Sequence, residues 1–289
     1  MDGLIGVTGA TGIVGGGVAA LLAQRGVAQR LIVRDAARAP QLAGAELRIA
    51  ASYGAADEMR ATLEGVETLF LVPGREAPDR VLQHVTTVDA AVAAGVRRIV
   101  YLSFLGALPT ATFTLGRQHW TTEQHIRGCG VGSFTFLRMS LYLDFIPSMV
   151  SPEGVIAGPA GDGRVGALLR SDVAAAVVAV LTSDGHDGGT YDITGREAFT
   201  LTEAAAEMSR LTGKRIEFRN ETRDEAYVSR AGYGAPDWEV EGWVTSYEAI
   251  GAGELALVTG EVRRLTGHEP TTLTEYITAH PESLAQVKR

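Results

Sequence analysis

The chain has 289 residues, 46% of them hydrophobic and 21% charged, enough for two domains or one large domain with an appended lobe, and too apolar for a disordered chain. Asp and Glu number 34 against 26 Lys and Arg, a formal net charge of −8, so the overall balance offers no surface for nucleic acid. Cys129 is the only cysteine, which excludes an intrachain disulfide and a cysteine zinc site and fits a reducing cytoplasm.

No run of about 18 apolar residues offers a membrane span. The start, Met1-Asp2, lacks the basic stretch of an export signal, so a cytoplasmic location is expected. Nearly every positive charge is arginine. Lys214 and Lys288 are the only lysines, which limits any chemistry that depends on an amine.

Leu4 to Thr8 is an apolar run that predicts a first strand, followed by the glycine-rich turn Gly9 to Gly15. Val18, Leu21 and Leu22 recur at helical spacing up to Arg25-Gly26. Strands are predicted at Leu31 to Val33, Glu46 to Ile49, Thr68 to Val72, Ile99 to Leu102 and Phe134 to Leu137. Helices are predicted at Ala56 to Leu63, at about Asp79 to Ala94 with Gly95 as C-cap, and at His119 to Arg127. Strands alternating with helices predict a parallel sheet with right-handed crossovers.

The second half changes character. Gly154 to Gly166 is turn-rich, Ser171-Asp172 is placed to cap an apolar helix over Val173 to Leu181, and Tyr191 to Thr194 is a further strand. Capping boxes pair Thr200 with Glu203, Thr222 with Glu225 and Thr272 with Glu275. The stretch from Tyr233 to Glu239 reads as a packed turn or a lid. The expected division is a doubly wound domain over 1–150, rejoined by the chain at about 165–195, and a smaller, mostly helical lobe over 196–289.

Gly9-Ala10-Thr11-Gly12-Ile13-Val14-Gly15 has the spacing G-x-x-G-x-x-G between a predicted strand and a predicted helix, the context of a dinucleotide fingerprint. Gly9 allows the tight turn, Gly12 the approach of a pyrophosphate, and Gly15 close helix–strand packing. No Gly-Lys-Ser/Thr follows, which excludes a Walker A loop. At the end of the second predicted strand stand Arg34 and Asp35, with Arg38 beyond. Arginine there suits the 2′-phosphate of NADPH, with Arg38 closing on its other side, whereas Asp35 keeps NADH possible.

With these motifs in view, the stretches GATGIVG, LIVRDAARA, AAGVRRIVYLSF and HWTTEQHI resemble the atypical short-chain dehydrogenases of the NmrA-like group. Within it they are most similar to the branch of type 2 NAD(P)H:quinone oxidoreductases and triphenylmethane reductases. The likeness continues through Leu137-Arg138, Tyr142, GPAGDGR at Gly158 to Arg164, and Arg170 to Asp172, and fades after about Thr212. It implies a Rossmann-like α/β fold with a C-terminal substrate lobe.

The resemblance puts cofactor contacts at Gly9 to Val14, at Arg34, at Pro73, Gly74 and Arg75, and at Met139, Ser140, Leu141 and Tyr142. The chain departs from the family pattern in several places. Pro73 and Gly74 stand where Ser or Thr is common, Ser52 where an acid is, Met139 where Asn is, and Gln124 where several members have Lys.

No tyrosine here has a lysine four residues on, so the Tyr-x-x-x-Lys pair of most short-chain dehydrogenases is absent and reversible alcohol oxidation is disfavoured. Direct hydride transfer to a quinone or another conjugated acceptor asks only for orientation and exclusion of water. Ser103, His119, Gln124 and Tyr142 are the candidate hydrogen-bonding groups for the acceptor or the carboxamide; Phe104, Trp120 and Phe145 are candidate stacking surfaces. Each also has a structural reading, as helix end, solvated face or core. His119 and His125 do not share a helix face, and no metal site is expected. The expected partner is a small aromatic or conjugated molecule, in a monomer or homodimer. The alternatives are an NADP(H)-sensing regulator without turnover and a reductase dedicated to one metabolite.

Overall fold

The computed structural model describes residues 3–288; Met1, Asp2 and Arg289, with the reading of the N-terminus, lie outside the described residues. The chain divides into two compact units. The first comprises the chain up to Ala107, Gln118–Arg138 and Ser171–Asp192. The second comprises Leu108–Arg117, Met139–Arg170 and the chain from Ile193 onward. Leu108–Arg117 and residues 139–150, expected within the 1–150 domain, thus fall in the second unit, the latter because the chain leaves the sheet at the end of its sixth strand.

The first unit is built on a seven-stranded sheet. Its strands are β1 (Ile5–Thr8), β2 (Gln29–Val33), β3 (Ala45–Ile49), β4 (Thr68–Leu71), β5 (Arg98–Phe104), β6 (Ser133–Met139) and β9 (Thr190–Ile193), in the order β3-β2-β1-β4-β5-β6-β9. The pairs β1–β2, β1–β4, β2–β3 and β4–β5 are parallel. This is the doubly wound, Rossmann-like order, and it reverses direction between β1 and β4. Alternate residues serve opposite faces. Leu69, Leu71, Ile99, Tyr101 and Phe136 pack with α2 (Ala56–Leu63), α3 (Arg80–Ala93) and α4 (Thr114–Gly128) through Met59, Leu63, Val88, Ala91 and Ile126. On the other face α1 (Ile13–Gln24) lies against α5 (Arg170–Leu181): a Cβ at Gly17 would stand 3.3 Å from that of Ala174.

Three local expectations are corrected. α4 begins at Thr114, more than a turn before His119, a start that the weak apolar periodicity of this stretch does not mark in the sequence. α5 begins at Arg170, so Ser171 and Asp172 lie in its first turn instead of capping it. Strands β5 and β6 run longer than their apolar cores, with Arg98 of β5 paired to Thr68 of β4 although its side chain is charged.

The second unit holds two small two-stranded sheets, β7 (Val155–Gly158) parallel to β11 (Glu217–Asn220) and β8 (Arg164–Val165) antiparallel to β10 (Phe199–Thr200). The rest is mainly helical: α6 (Leu201–Thr212), α7 (Arg223–Arg230), α8 (Asp237–Gly251), α9 (Glu261–Thr266) and α10 (Leu273–Ala279). All three capping boxes form, at the starts of α6, α7 and α10. No helix among the described residues is long and apolar enough to cross a membrane.

Candidate functional site

The strand order reverses at the carboxyl ends of β1 and β4, where open α/β sheets bind ligands. Gly9 turns the chain there with φ +64°, a conformation that a side chain disfavours. The Gly12 N–H donates to the Gly9 carbonyl at 2.9 Å, closing the loop. A Cβ on Gly15 would lie 2.3 Å from the Gly9 oxygen, so α1 can approach β1 this closely only with glycine there. Gly12 caps α1 without a side chain, and the first turn holds no acid. Its amide donors and the helix dipole are therefore left for an anion. Thr11, Gly12 and Ile13 are exposed, whereas the side chains of Ala10 and Val14 are buried.

The segment after β4 is pinned on both backbone edges by side chains. The Val72 N–H donates to Thr8 Oγ1 (2.9 Å), whose own hydroxyl donates to the Phe70 carbonyl; the Tyr53 hydroxyl donates to the Val72 carbonyl (2.9 Å). The Gly74 N–H donates to His84 Nε2 (2.8 Å), and its carbonyl accepts from Arg80 Nε (2.9 Å). Because His84 Nε2 accepts, its proton sits on Nδ1, beside Thr122 Oγ1 at 2.9 Å. Burial, then the nearby Arg80 charge, pushes the His84 pKa down to about 3, so the ring is neutral. Burial pushes the Tyr53 phenol up to about 12.

Thr8, Tyr53, Arg80 and His84 were not singled out from the sequence. Their spacing carries no motif; only the Pro73-Gly74 break marked the segment that they hold.

Around the loop lies a cleft of about 270 Å³, lined by Gly9, Thr11, Arg34, Tyr53, Pro73, Gly74 and Arg75 among others. Arg34, Arg38 and Arg75 are exposed, and no acid among the described residues pairs with any of them. Asp35 is engaged: its carboxylate accepts from the Ala37 N–H at 2.9 Å and caps the short 3-10 turn Ala36–Arg38. Asp35 turns one carboxylate oxygen to its own turn, while the Arg34 guanidinium has no acid partner among the described residues and is available to a phosphate. These residues fit a phosphorylated dinucleotide.

The other predicted residues are placed differently. Ser103 is fully buried and its hydroxyl donates to Glu123 Oε1 at 2.6 Å; the buried Glu123 is also held by Arg138 through bonds of 2.8 and 2.6 Å. Ser103 therefore serves the seam between β5 and α4 and has no proton left for a ligand. His119 is also buried: Arg80 donates to its Nε2 at 3.2 Å, which leaves the proton on Nδ1, beside the Tyr101 hydroxyl at 2.9 Å. Burial first, then Arg80, lowers its pKa well below the usual range, and this ring too is neutral.

Phe104, 3% exposed, packs beside His119 with ring centres 6.0 Å apart, so it is core instead of a stacking surface. The buried stripe of α4 runs His119, Thr122, Glu123, Ile126 at helical spacing, which leaves Gln124 on the exposed side.

Met139, Ser140, Leu141 and Tyr142 lie in the second unit. Met139 and Ser140 are buried, and the Ser140 hydroxyl has no hydrogen-bond partner among the described residues. The Tyr142 ring is covered by the Arg170 guanidinium at 4.2 Å, which also pairs with Asp144 at 2.9 Å. Among the described residues no group of three His, Cys, Asp or Glu is arranged to hold a metal.

A family model described as the NmrA-like family matches residues 1–277. Quinone oxidoreductase 2 of Escherichia coli K12 is 34% identical over 281 residues, covering 95% of this chain and 97% of that one. A (4-alkanoyl-5-oxo-2,5-dihydrofuran-3-yl)methyl phosphate reductase of Streptomyces griseus is 34% identical over 288 residues, covering 96% and 98%. The crystal structure of an Escherichia coli NADPH-dependent quinone oxidoreductase in complex with NADPH superposes with a TM-score of 0.87 at 33% identity, covering 95% of this chain and 99% of that one.

Proposed function

The chain belongs to the NmrA-like family, and from that premise we propose that it is an NADPH-dependent reductase that passes hydride to a quinone-like or otherwise conjugated, electron-poor small molecule. The observation that carries this reading is the glycine-loop cleft with an exposed Arg34 that no acid among the described residues pairs. The relatives named as quinone oxidoreductase and reductase, each matched over nearly its full length, support the same activity.

NADPH supplies the hydride. The chain binds and orients it. The first turn of α1 and the backbone of Gly9 to Ile13 would receive the pyrophosphate, and Arg34, with Arg38 closing in, the 2′-phosphate. Pro73, Gly74 and Arg75 would border the ribose, on a backbone that Thr8, Tyr53, Arg80 and His84 hold still. Gln124, on the exposed side of α4, is the proposed contact of acceptor or carboxamide.

No lysine is placed to acidify a tyrosine. Lys214 Nζ donates to the Leu284 and Val287 carbonyls at 2.5 and 2.9 Å, and Lys288 pairs with Glu153 at 3.0 Å. Burial raises the Tyr53 and Tyr101 phenols, which makes both weak acids and favours an acceptor whose reduced form can take its proton from water.

Purified protein mixed with NADPH and a panel of benzoquinones and naphthoquinones is expected to consume NADPH, followed at its near-ultraviolet absorbance, well above the enzyme-free rate. Tight NADPH binding with no consumption by any acceptor would overturn the reading and leave a cofactor sensor.

A further inference from the structure

A second cavity, of about 680 Å³, lies entirely within the second unit and is the larger of the two described. Its size falls within the range of small-molecule sites. Its walls are aromatic. Phe145 is 47% exposed and Tyr233 74% exposed, and the Tyr233 ring stands edge-on to Trp243 at 5.9 Å. Tyr247 completes the wall, packed so tightly on Gly158 that a Cβ there would lie 2.3 Å from its ring. Large rings left this open to water are the surface that a flat ligand would cover.

The charge around this cavity is opposite in sign to that of the chain. Arg230 is buried, lies 5.2 Å from the centre of the Tyr247 ring, and bonds to Glu221 Oε2 at 3.0 Å. Arg219 reaches the other oxygen of the same carboxylate at 3.3 Å. Two guanidiniums therefore share one acid. Arg219 is 61% exposed and spends one N–H on that bond, so its remaining donors are open to a ligand. The one acid in the lining, Glu153, is matched by Lys288. Ser148 and Ser246 donate to backbone carbonyls, Ser229 to the Ala226 carbonyl and Glu221, and Ser151 accepts from the Glu153 and Val155 N–H groups, so none of the wall serines carries charge against the anion. The cavity thus carries about one surplus positive charge in a chain of net −8.

We propose that this cavity is a binding site for a flat aromatic molecule bearing a single negative charge, its rings against Phe145, Tyr233 and Trp243 and its anionic group on Arg219. Arg230 fixes the site: it locks Glu221 and Tyr247, while Arg219, alone of the pair, turns outward to the ligand. The chemistry selects a carboxylate, sulfonate or phenolate over a neutral or cationic ring of the same size.

The test uses three probes of one shape: naphthalene-2-carboxylate, naphthalene-2-methanol and naphthalen-2-ylmethylammonium, titrated without NADPH. Affinity is followed by calorimetry and location by the indole N–H resonance of Trp243, assigned with Trp243→Phe. The carboxylate is expected to bind about ten-fold tighter than the alcohol, with the ammonium weakest, and to shift the Trp243 signal. Arg219→Gln, a surface change, should bring carboxylate and alcohol within about two-fold. Tyr233→Ala should weaken both together. Equal affinity for the three probes, binding that leaves the Trp243 signal unmoved, or a preference that survives Arg219→Gln would each overturn the proposal. None of these outcomes depends on turnover of NADPH.

Discussion

Cofactor choice turns on a single pair of neighbouring residues. Arg34 and Asp35 follow β2 directly, and their order alone leaves both cofactor forms open. The structure weights them: Asp35 turns one oxygen to the Ala37 N–H, and Arg34 is exposed in the cleft without an acid partner among the described residues. Replacing Arg34 with Ala should therefore weaken NADPH binding by at least about ten-fold, the worth of a charge-assisted phosphate contact, and leave NADH almost untouched. Dissociation constants for both forms, measured by fluorescence titration, check this; equal losses would remove Arg34 from the 2′-phosphate. Ser103 and His119 show the converse case. Both are candidate hydrogen-bonding groups by sequence, yet burial commits one to Glu123 and the other to Arg80 and Tyr101.

The element that matters most is the β1–loop–α1 unit. Its function depends on how closely a helix can approach a strand, which Gly15 decides. An added methyl there would meet the Gly9 and Thr8 carbonyls at 2.3 and 2.9 Å, backbone atoms that cannot swing away. Gly15→Ala should destabilise the protein by about 1–3 kcal/mol and push the loop out of register with the phosphates. Urea unfolding and NADPH titration of the same variant test both halves, and a variant of unchanged stability and affinity would show that α1 has slack. This unit was legible in the sequence because its signals are local: an apolar run, three glycines and a helical repeat within some twenty residues. The capping boxes were legible for the same reason. The onset of α4 was not, since its first turn forms where the apolar pattern is weak and tertiary packing supplies the stabilisation.

The whole molecule carries its buried histidines as a pH dependence of stability. His84 and His119 are neutral in the fold, with pKa values pushed below the ordinary 6.5, His84 to about 3. In the unfolded chain both would take a proton near 6.5. Below that pH the unfolded state binds more protons, so their contribution to stability is complete above it and is lost as the pH falls towards 3. Each group costs about 1.4 kcal/mol per pH unit once the pH is well below 6.5. The carboxylates with lowered pKa values act further down, below their ordinary 4.5. The urea midpoint is thus expected to drop between about pH 7.5 and about pH 5, and His84→Gln to flatten that slope by roughly half. A midpoint constant across the interval would show that these rings do not stay neutral.

By itself the sequence determined what short-range order can encode: the strand–loop–helix that makes an anion site, the alternation that builds a doubly wound sheet, the helix starts, and, through two lysines, the absence of Tyr–Lys chemistry. Tertiary structure decided which polar groups remain available. The Val72–Gly74 backbone is held by residues from β1, the loop before α2 and α3, separated from it by up to 64 positions. Burial, which no local pattern reports, retired Ser103, His119 and Phe104 from the surface and left Arg34 on it. A residue's chemistry is set by its side chain, but its availability is set by what the fold packs over it and hydrogen-bonds to it.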